Sequence, residues 1–251
     1  MSLLEKEITS LQDLLQVLQD DNTGYNGSIW YRGQAEAIWS LLPSYFRLSN
    51  APSESTLLKR FKQNATMLVD AVPKGSFDWL FLMQHYGIPT RLLDWSENPL
   101  IALYFAIEKA NTHSGIPAAL WSLKPSELNK NAGIRDPDEE FYIPSFEEEI
   151  LKLHSIESLA SNPRTRLKPV ATIAARNNPR IQAQLGVFTI HHLEQISIEE
   201  IGDSSHVIKY VIPDDSSKEL IANQLSILGF TKFQLFPELA SIGDIIRGEL
   251  L

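Results

Sequence analysis

The sequence predicts an α+β fold in a single domain, with one buried helix at its centre. Three observations carry that expectation. Helix signals dominate the early part of the chain and strand-like runs gather later. One helix, in SENPLIALYFAIEKA, is apolar around most of its circumference, which is the pattern of a helix covered on all sides. No repeat, low-complexity tract or linker-like run divides the 251 residues, although length alone would also allow two small domains.

Taken in order, MSLLEKEITSLQDLLQVLQDD carries acids where a signal peptide carries bases, and it reads as an amphipathic helix over about residues 3–20. The Asp, Asn and Gly of DDNTGYNG make a loop. SIWYRGQ follows as a short strand running into a turn. PSESTLLKRFKQNATMLVDAV is a helix capped by Ser53 or Ser55, with Pro73 just past its end. Another helix covers 76–86 and stops at Gly87, a residue suited to left-handed backbone. Asn98 caps the central helix and Pro99 fills its first position, where a missing N–H costs nothing. Leu100, Leu103, Tyr104 and Ile107 share one face of that helix, and Ile101 and Phe105 add a second.

AALWSL, residues 118–123, is a strand, and 124–162 is an acidic, partly helical excursion. VATIAA is a strand. NNPRIQAQLG is a short helix capped by Asn178, opened by Pro179 and stopped by Gly186. VFTIHH and HVIKYVIP are strands. Ser216 and Glu219 have capping-box spacing at the start of a helix that Gly229 ends, and FPELASIGDIIRGEL closes the chain as a helix.

Composition narrows the function. Hydrophobic residues are 43% and charged residues 21%, as in ordinary globular proteins, and cysteine is absent, which removes disulfide and thiolate chemistry. No apolar run approaches the length needed to cross a bilayer, so no membrane partner is expected and the cytoplasm is the default location. A net charge of −9 argues against general affinity for nucleic acid or anionic membranes. The charge is uneven, however. Residues 136–149 hold seven acids and no base, whereas 158–193 hold five bases, two histidines and no acid. That basic stretch is either reserved for an anion or paired with the acidic segment upstream. Dinucleotide, P-loop, zincin and nucleophile-elbow motifs are all absent. His191 and His192 are adjacent, so on a strand they face opposite ways and chelate poorly; a protein-bound metal is not expected.

Polar residues in apolar surroundings supply the candidates. Arg32 follows two aromatics and precedes Gly33, whose bare backbone admits a close ligand; its guanidinium either grips a phosphate or carboxylate or pairs with an internal acid. Arg91 and Asp94 sit in HYGIPTRLLDWSENPLIALYFA, as either a buried ion pair or the floor of a cleft. Asp94 can anchor Arg32 or, if burial raises its pKa, act as a general base. Tyr31 and Trp95 are suited equally to stacking a ring or filling a core. His85 lies before the Gly87 turn, and Gln184 beside Gly186.

Three segments together resemble the FRG domain family, named for an aromatic-Arg-Gly signature: WYRGQ with WSLLPSYFR, LMQHYGIPTRLLDWSENPLIALYFA, and RIQAQLGVFTIH, with LFPELASI agreeing near the end. The resemblance makes residues 1–251 one FRG-type domain. The pattern is similar to that of ADP-ribosyltransferase folds, which implies a split, mostly antiparallel sheet and NAD or another small nucleotide as ligand. On that likeness Arg32, Asp94 and Gln184 are the catalytic candidates. Tyr31, Gly33, Gln34, His85, Thr90, Arg91, Trp95, Ser96 and Asn98 are the ligand-binding candidates. The transferases commonly place Glu where this chain has Gln182 and Gln184, and a Gln cannot serve as a base. The implied activity is ADP-ribosyl transfer or NAD glycohydrolysis, with a protein or nucleic acid as target. The alternatives are a non-catalytic module for nucleotides or anions, and a nucleic-acid enzyme of a bacterial defence or toxin system.

Overall fold

Long-range strand pairing organises the chain, as seen in a computed structural model that describes residues 3–69, 72–174, 178–238, 241–243 and 246–247. Strand β1 is Leu4–Glu7, and helix α1 is Leu11–Asp21 with Ser10 as its cap. Strand β2, Trp30–Gln34, is followed by a 3-10 turn at Ser44–Arg47, then α2 (Glu54–Ala65) and α3 (Ser76–His85). Strand β3, Leu92–Ser96, leads into α4 (Pro99–Ile107) and β4 (Ala118–Leu123). Then come α5 (Pro125–Asn131), α6 (Ile156–Ser161), β5 (Val170–Thr172), α7 (Pro179–Ala183) and β6 (Gly186–Ile190). The last elements are β7 (Val207–Ile212), α8 (Asp215–Ile227) and α9 (Lys232–Leu235).

The expected α+β class holds, and the strands form one mixed seven-stranded sheet in the order β1-β7-β4-β2-β3-β6-β5. Strands β1 and β7 run parallel, and the other pairings are antiparallel. At the middle the ladder narrows. Strand β2 pairs with β4 from Trp30 to Gln34, and β3 pairs with β6 from Leu92 to Ser96. Between themselves β2 and β3 share only the pair Tyr31 and Ser96. The two halves of the sheet are joined at that point.

Helix α4 fixes the centre. Ile101, Ala102, Leu103, Ala106 and Ile107 are buried, and Asn98 caps the helix by accepting from the N–H groups of Leu100 and Ile101. A Cβ on Gly33 would stand 2.0 Å from the Ala102 carbonyl oxygen and 2.4 Å from the Ala106 nitrogen. Gly33 is therefore required by a helix crossing β2 at backbone contact. Strand alternation distributes the rest: Tyr31 and Leu120 join α1, α4 and α8 in one core, while Trp30, Trp121, Leu93 and Trp95 fill a second across the sheet. A third core gathers α2, α3, β5 and β6.

Several boundaries differ from the sequence reading. Residues 4–7 are strand, because the edge of β7 offers them a ladder, and the first helix begins only after Ser10. The cap of α8 is Asp214, which accepts from Ser217 N–H and pre-empts Ser216. Past the Gln184 cap of α7, Leu185 takes left-handed backbone at φ 46°, one residue before Gly186, which opens β6 and packs on Ile181. The acidic excursion is built into the cores: Leu128, Ile134, Phe146, Leu151 and Ile156 are buried. Buried Asn129 accepts from Ala171 N–H at 2.8 Å and donates to its carbonyl at 3.0 Å, so an amide side chain covers part of the β5 edge. The end of VATIAA and about half of the closing segment fall outside the described residues; 241–243 and 246–247 are helical.

Arg91 and Asp94 are not a pair. Three residues apart on an extended run, they point to opposite sides of the chain. Arg91 is 1% exposed and donates from Nε to Glu54 Oε2 at 2.6 Å and from its backbone N–H to Glu54 Oε1 at 3.0 Å. Its remaining nitrogens donate to the carbonyls of His154, at 2.9 Å, and His191. Every side of this guanidinium is used, and removing one partner from such a pair typically costs about 3–5 kcal/mol.

Gly33→Ala should lower the unfolding free energy by about 3 kcal/mol, since two backbone atoms stand where the methyl must go. Urea unfolding measures this, and a loss under about 0.5 kcal/mol would mean the helix lifts off the strand without cost.

The histidines around Arg91 make stability depend on pH. Burial, reinforced by the Arg91 charge, lowers the pKa of His154 to about 3, of His191 to about 3 and of His192 to about 4. All three stay neutral when folded but take up protons near pH 6.5 when unfolded. Their stabilising contribution is complete above that pH and is lost as pH falls towards 3–4, at up to about 1.4 kcal/mol per histidine per pH unit. Urea midpoints should therefore drop steeply between pH 6.5 and pH 4.5, and His192→Gln should flatten the slope. A flat profile would place these side chains in contact with water.

Candidate ligand-binding cleft

Where β2 and β3 part, a cleft of about 1080 Å³ opens. Its lining includes Tyr31, Arg32, Gly33, Gln34, His85, Asp94, Trp95, Ser96 and Gln184, so nine of the candidate residues converge on one space. Thr90, Arg91 and Asn98 do not line it. Arg91 is the structural partner of Glu54, Asn98 caps α4, and buried Thr90 donates to Gln84 Oε1.

Arg32 is half-buried and donates from Nη1 to the main-chain oxygen of Asp94 at 2.6 Å, tying β2 to β3 across the gap. Its Nε is buried with no partner among the described residues. Burial lowers the Arg32 pKa and Arg47 adds to that effect, while the Asp94 charge opposes it. Asp94 is exposed, so the burial on which a general-base role depended is missing. Its Oδ2 accepts from Gln84 Nε2 at 2.8 Å, and Thr90 holds the other end of that amide. Thr90 therefore acts on the cleft through Gln84, a residue the sequence reading passed over.

Gln184 ends α7. Its Nε2 donates to Leu235 O at 3.0 Å and its carbonyl accepts from Ser96 Oγ at 2.7 Å, leaving Oε1 as the polar atom without a bond among the described residues. Gln34 is 3% exposed and bridges Trp121 Nε1 and the Ser40 carbonyl, which is a structural duty. Trp95 and Tyr31 are 3% and 7% exposed, with Trp95 Nε1 bonded to Thr189 Oγ1, so both are core residues rather than open stacking surfaces. The more accessible rings of the lining are Trp39, Tyr86, Phe105 and Phe236.

At one wall Arg180 lies 4.7 Å over the Phe236 ring and Phe105 meets that ring edge-on. His85 stands 3.6 Å from Glu238, and burial lowers its pKa against the pull of that carboxylate. Among the described residues of the basic stretch 158–193, Arg180 is the base that lines the cleft. The other lining bases, Arg32, Arg47, Lys74 and Lys109, come from elsewhere, and proximity in the fold rather than a run in the sequence assembles them. Among the described lining residues three acids, Asp78, Asp94 and Glu108, stand against these five bases, so the described lining is basic in an acidic protein. Among the described residues no group of three or more His, Asp or Glu side chains is placed to hold a metal ion, and no helix is long and apolar enough to cross a membrane.

No curated protein and no solved structure matches the chain. A family model does match, over residues 27–115, and its description is the FRG domain. Those residues carry β2, β3 and α4, the elements that frame the opening, so the segment similar to the FRG domain is the one that builds the cleft.

Proposed function

We propose that the cleft binds NAD or a related small nucleotide, and that its chemistry is glycosyl transfer from that nucleotide to a protein or nucleic-acid acceptor. One observation carries the reading: Arg32, Asp94 and Gln184, which lie far apart in sequence, face one basic cleft at the point where the sheet parts. Arg32 meets the phosphate or ribose, Gln184 accepts from a ribose hydroxyl through Oε1, and Asp94 stands as the negative charge nearest the Arg32 tether. Cleavage of the glycosidic bond releases nicotinamide with the bonding electrons and builds positive charge on the ribose. An acceptor oxygen or nitrogen then bonds to that carbon and loses its proton.

A second reading, a binding module without turnover, is favoured by Gln184 itself. It is neutral, and its amide nitrogen is committed to Leu235. A nucleic-acid enzyme is the weakest alternative, since a net charge of −9 opposes a polyanion.

Saturating NAD, at about 100 times its dissociation constant, should stabilise the protein by about 2.7 kcal/mol and raise its melting temperature. Arg32→Ala should abolish that shift. An undiminished shift in the variant would move the ligand to another place.

Nicotinamide release separates the two readings. Without an acceptor the wild type should hydrolyse NAD slowly, because the neutral Gln184 leaves the ribose charge to Asp94, and Asp94→Asn should lower the rate about tenfold or more. Fast release untouched by Asp94→Asn would put the chemistry on other residues. Bound NAD with no release at all would leave the binding module.

A further inference from the structure

The 3-10 turn that ends at Arg47 brings a second guanidinium to the cleft beside Arg32. Both cations are held by main-chain carbonyls. Arg47 donates from Nε and Nη2 to Leu42 O at 2.9 and 2.7 Å, and Arg32 donates from Nη1 to Asp94 O at 2.6 Å. Among the described residues no carboxylate makes a salt bridge with either. Glu199 is the opposing charge that reaches Arg47, and it is occupied with Leu41 N–H at 3.1 Å. Arg32 retains a buried Nε donor with no acceptor among the described residues. Two like charges facing one cleft, each fixed in place and neither neutralised by an ion pair, are arranged for an anion that arrives from solution.

Neighbouring groups orient Arg47, whose side chain is exposed. Arg47 lies 5.8 Å over the Trp39 ring, and Trp39 meets His113 edge-on, while His113 pairs with Glu36 at 3.0 Å. Ala37 N–H donates to Pro117 O at 2.7 Å, so the loop between β2 and the turn is tied to the start of β4. A site whose donors are already oriented spends little binding energy on ordering them.

We infer that Arg32 and Arg47 form a diphosphate subsite, with Trp39 supporting the second guanidinium, so that the two phosphates of the ligand lie between the strand β2 side chain and the turn. The inference rests on reading the cleft as the nucleotide site, but it assigns a specific part of the ligand to a specific pair of residues. One guanidinium suits one phosphate group by forked donation, and two suit a diphosphate better than a single phosphate.

Calorimetric titrations with inorganic pyrophosphate, ADP-ribose, AMP and adenosine test this. Pyrophosphate and ADP-ribose should bind, AMP more weakly, and adenosine weakest, with affinities that fall as salt rises. Arg47→Gln should weaken pyrophosphate and ADP-ribose by roughly ten- to a hundredfold, and Arg47→Lys, which keeps the charge but loses the fork, should fall between. Melting curves check that both variants fold; if Arg47→Gln does not, Arg47→Lys alone decides. Unchanged pyrophosphate and ADP-ribose affinity in a folded Arg47 variant would overturn the subsite, even if Arg32→Ala still lost NAD and the nucleotide reading stood. AMP bound as tightly as ADP-ribose, or no binding of either diphosphate, would overturn it as well. Pyrophosphate bound through Arg47 while NAD gives no melting shift would uphold the anion pair and end the NAD reading.

Discussion

The backbone contact between helix α4 and strand β2 is the constraint on which the rest of the structure depends. At Gly33 the helix lies so close that no side chain fits between them. Because the helix begins directly after β3, that contact also fixes the end of β3, where Ser96 and Asn98 make the turn. Ser96 in turn holds the Gln184 carbonyl and so sets the end of α7. One crossing thus positions β2, β3 and α7, the three elements that carry Arg32, Asp94 and Gln184. The apolar helix supplies the burial that holds the crossing together.

Alternation along β3 separates structure from chemistry. Arg91, at its start, is sealed among Glu54 and two carbonyls, and its charge helps keep the neighbouring histidines neutral. Asp94 faces the other way, exposed and steered by Gln84. A buried pair such as Arg91 and Glu54 adds little net stability over apolar residues of the same size, but breaking it is costly. It pins α2 to the start of β3 in one register, thirty-seven residues apart in sequence.

The cleft reverses the sign of the protein around it. With an overall charge of −9, the molecule still lines this cavity with more bases than acids among the described residues, and it holds its key guanidiniums by carbonyl dipoles. Carbonyls orient a cation without cancelling its charge, so the field of Arg32 and Arg47 remains directed into the cleft. Low-dielectric walls such as Phe105, Phe188 and Phe236 lessen its screening by water.

Local physics made much of this legible in the sequence. Asn98 with Pro99, Asn178 with Pro179, and Gly87 and Gly229 mark helix ends because a cap or a left-handed residue acts within a few positions of itself. The all-round apolar pattern identified α4 as central for the same reason, and the WYRG and LLDW runs pointed to the cleft. Distant pairings were not legible. Strand β1 exists because β7 offers an edge two hundred residues away, and Arg91 chose Glu54 over Asp94 because the strand turned the two side chains apart. Gly33 lines the cleft as its neighbours suggested, but its second duty, carrying the α4 crossing, was not legible. Arg47, Gln84 and the Phe236 wall gained their places only when the chain closed on itself. The sequence determined where elements begin, end and carry their polar residues, since those preferences are settled by neighbours along the chain. Tertiary structure decided which polar residues meet, because that depends on packing free energy shared among segments that no local pattern connects.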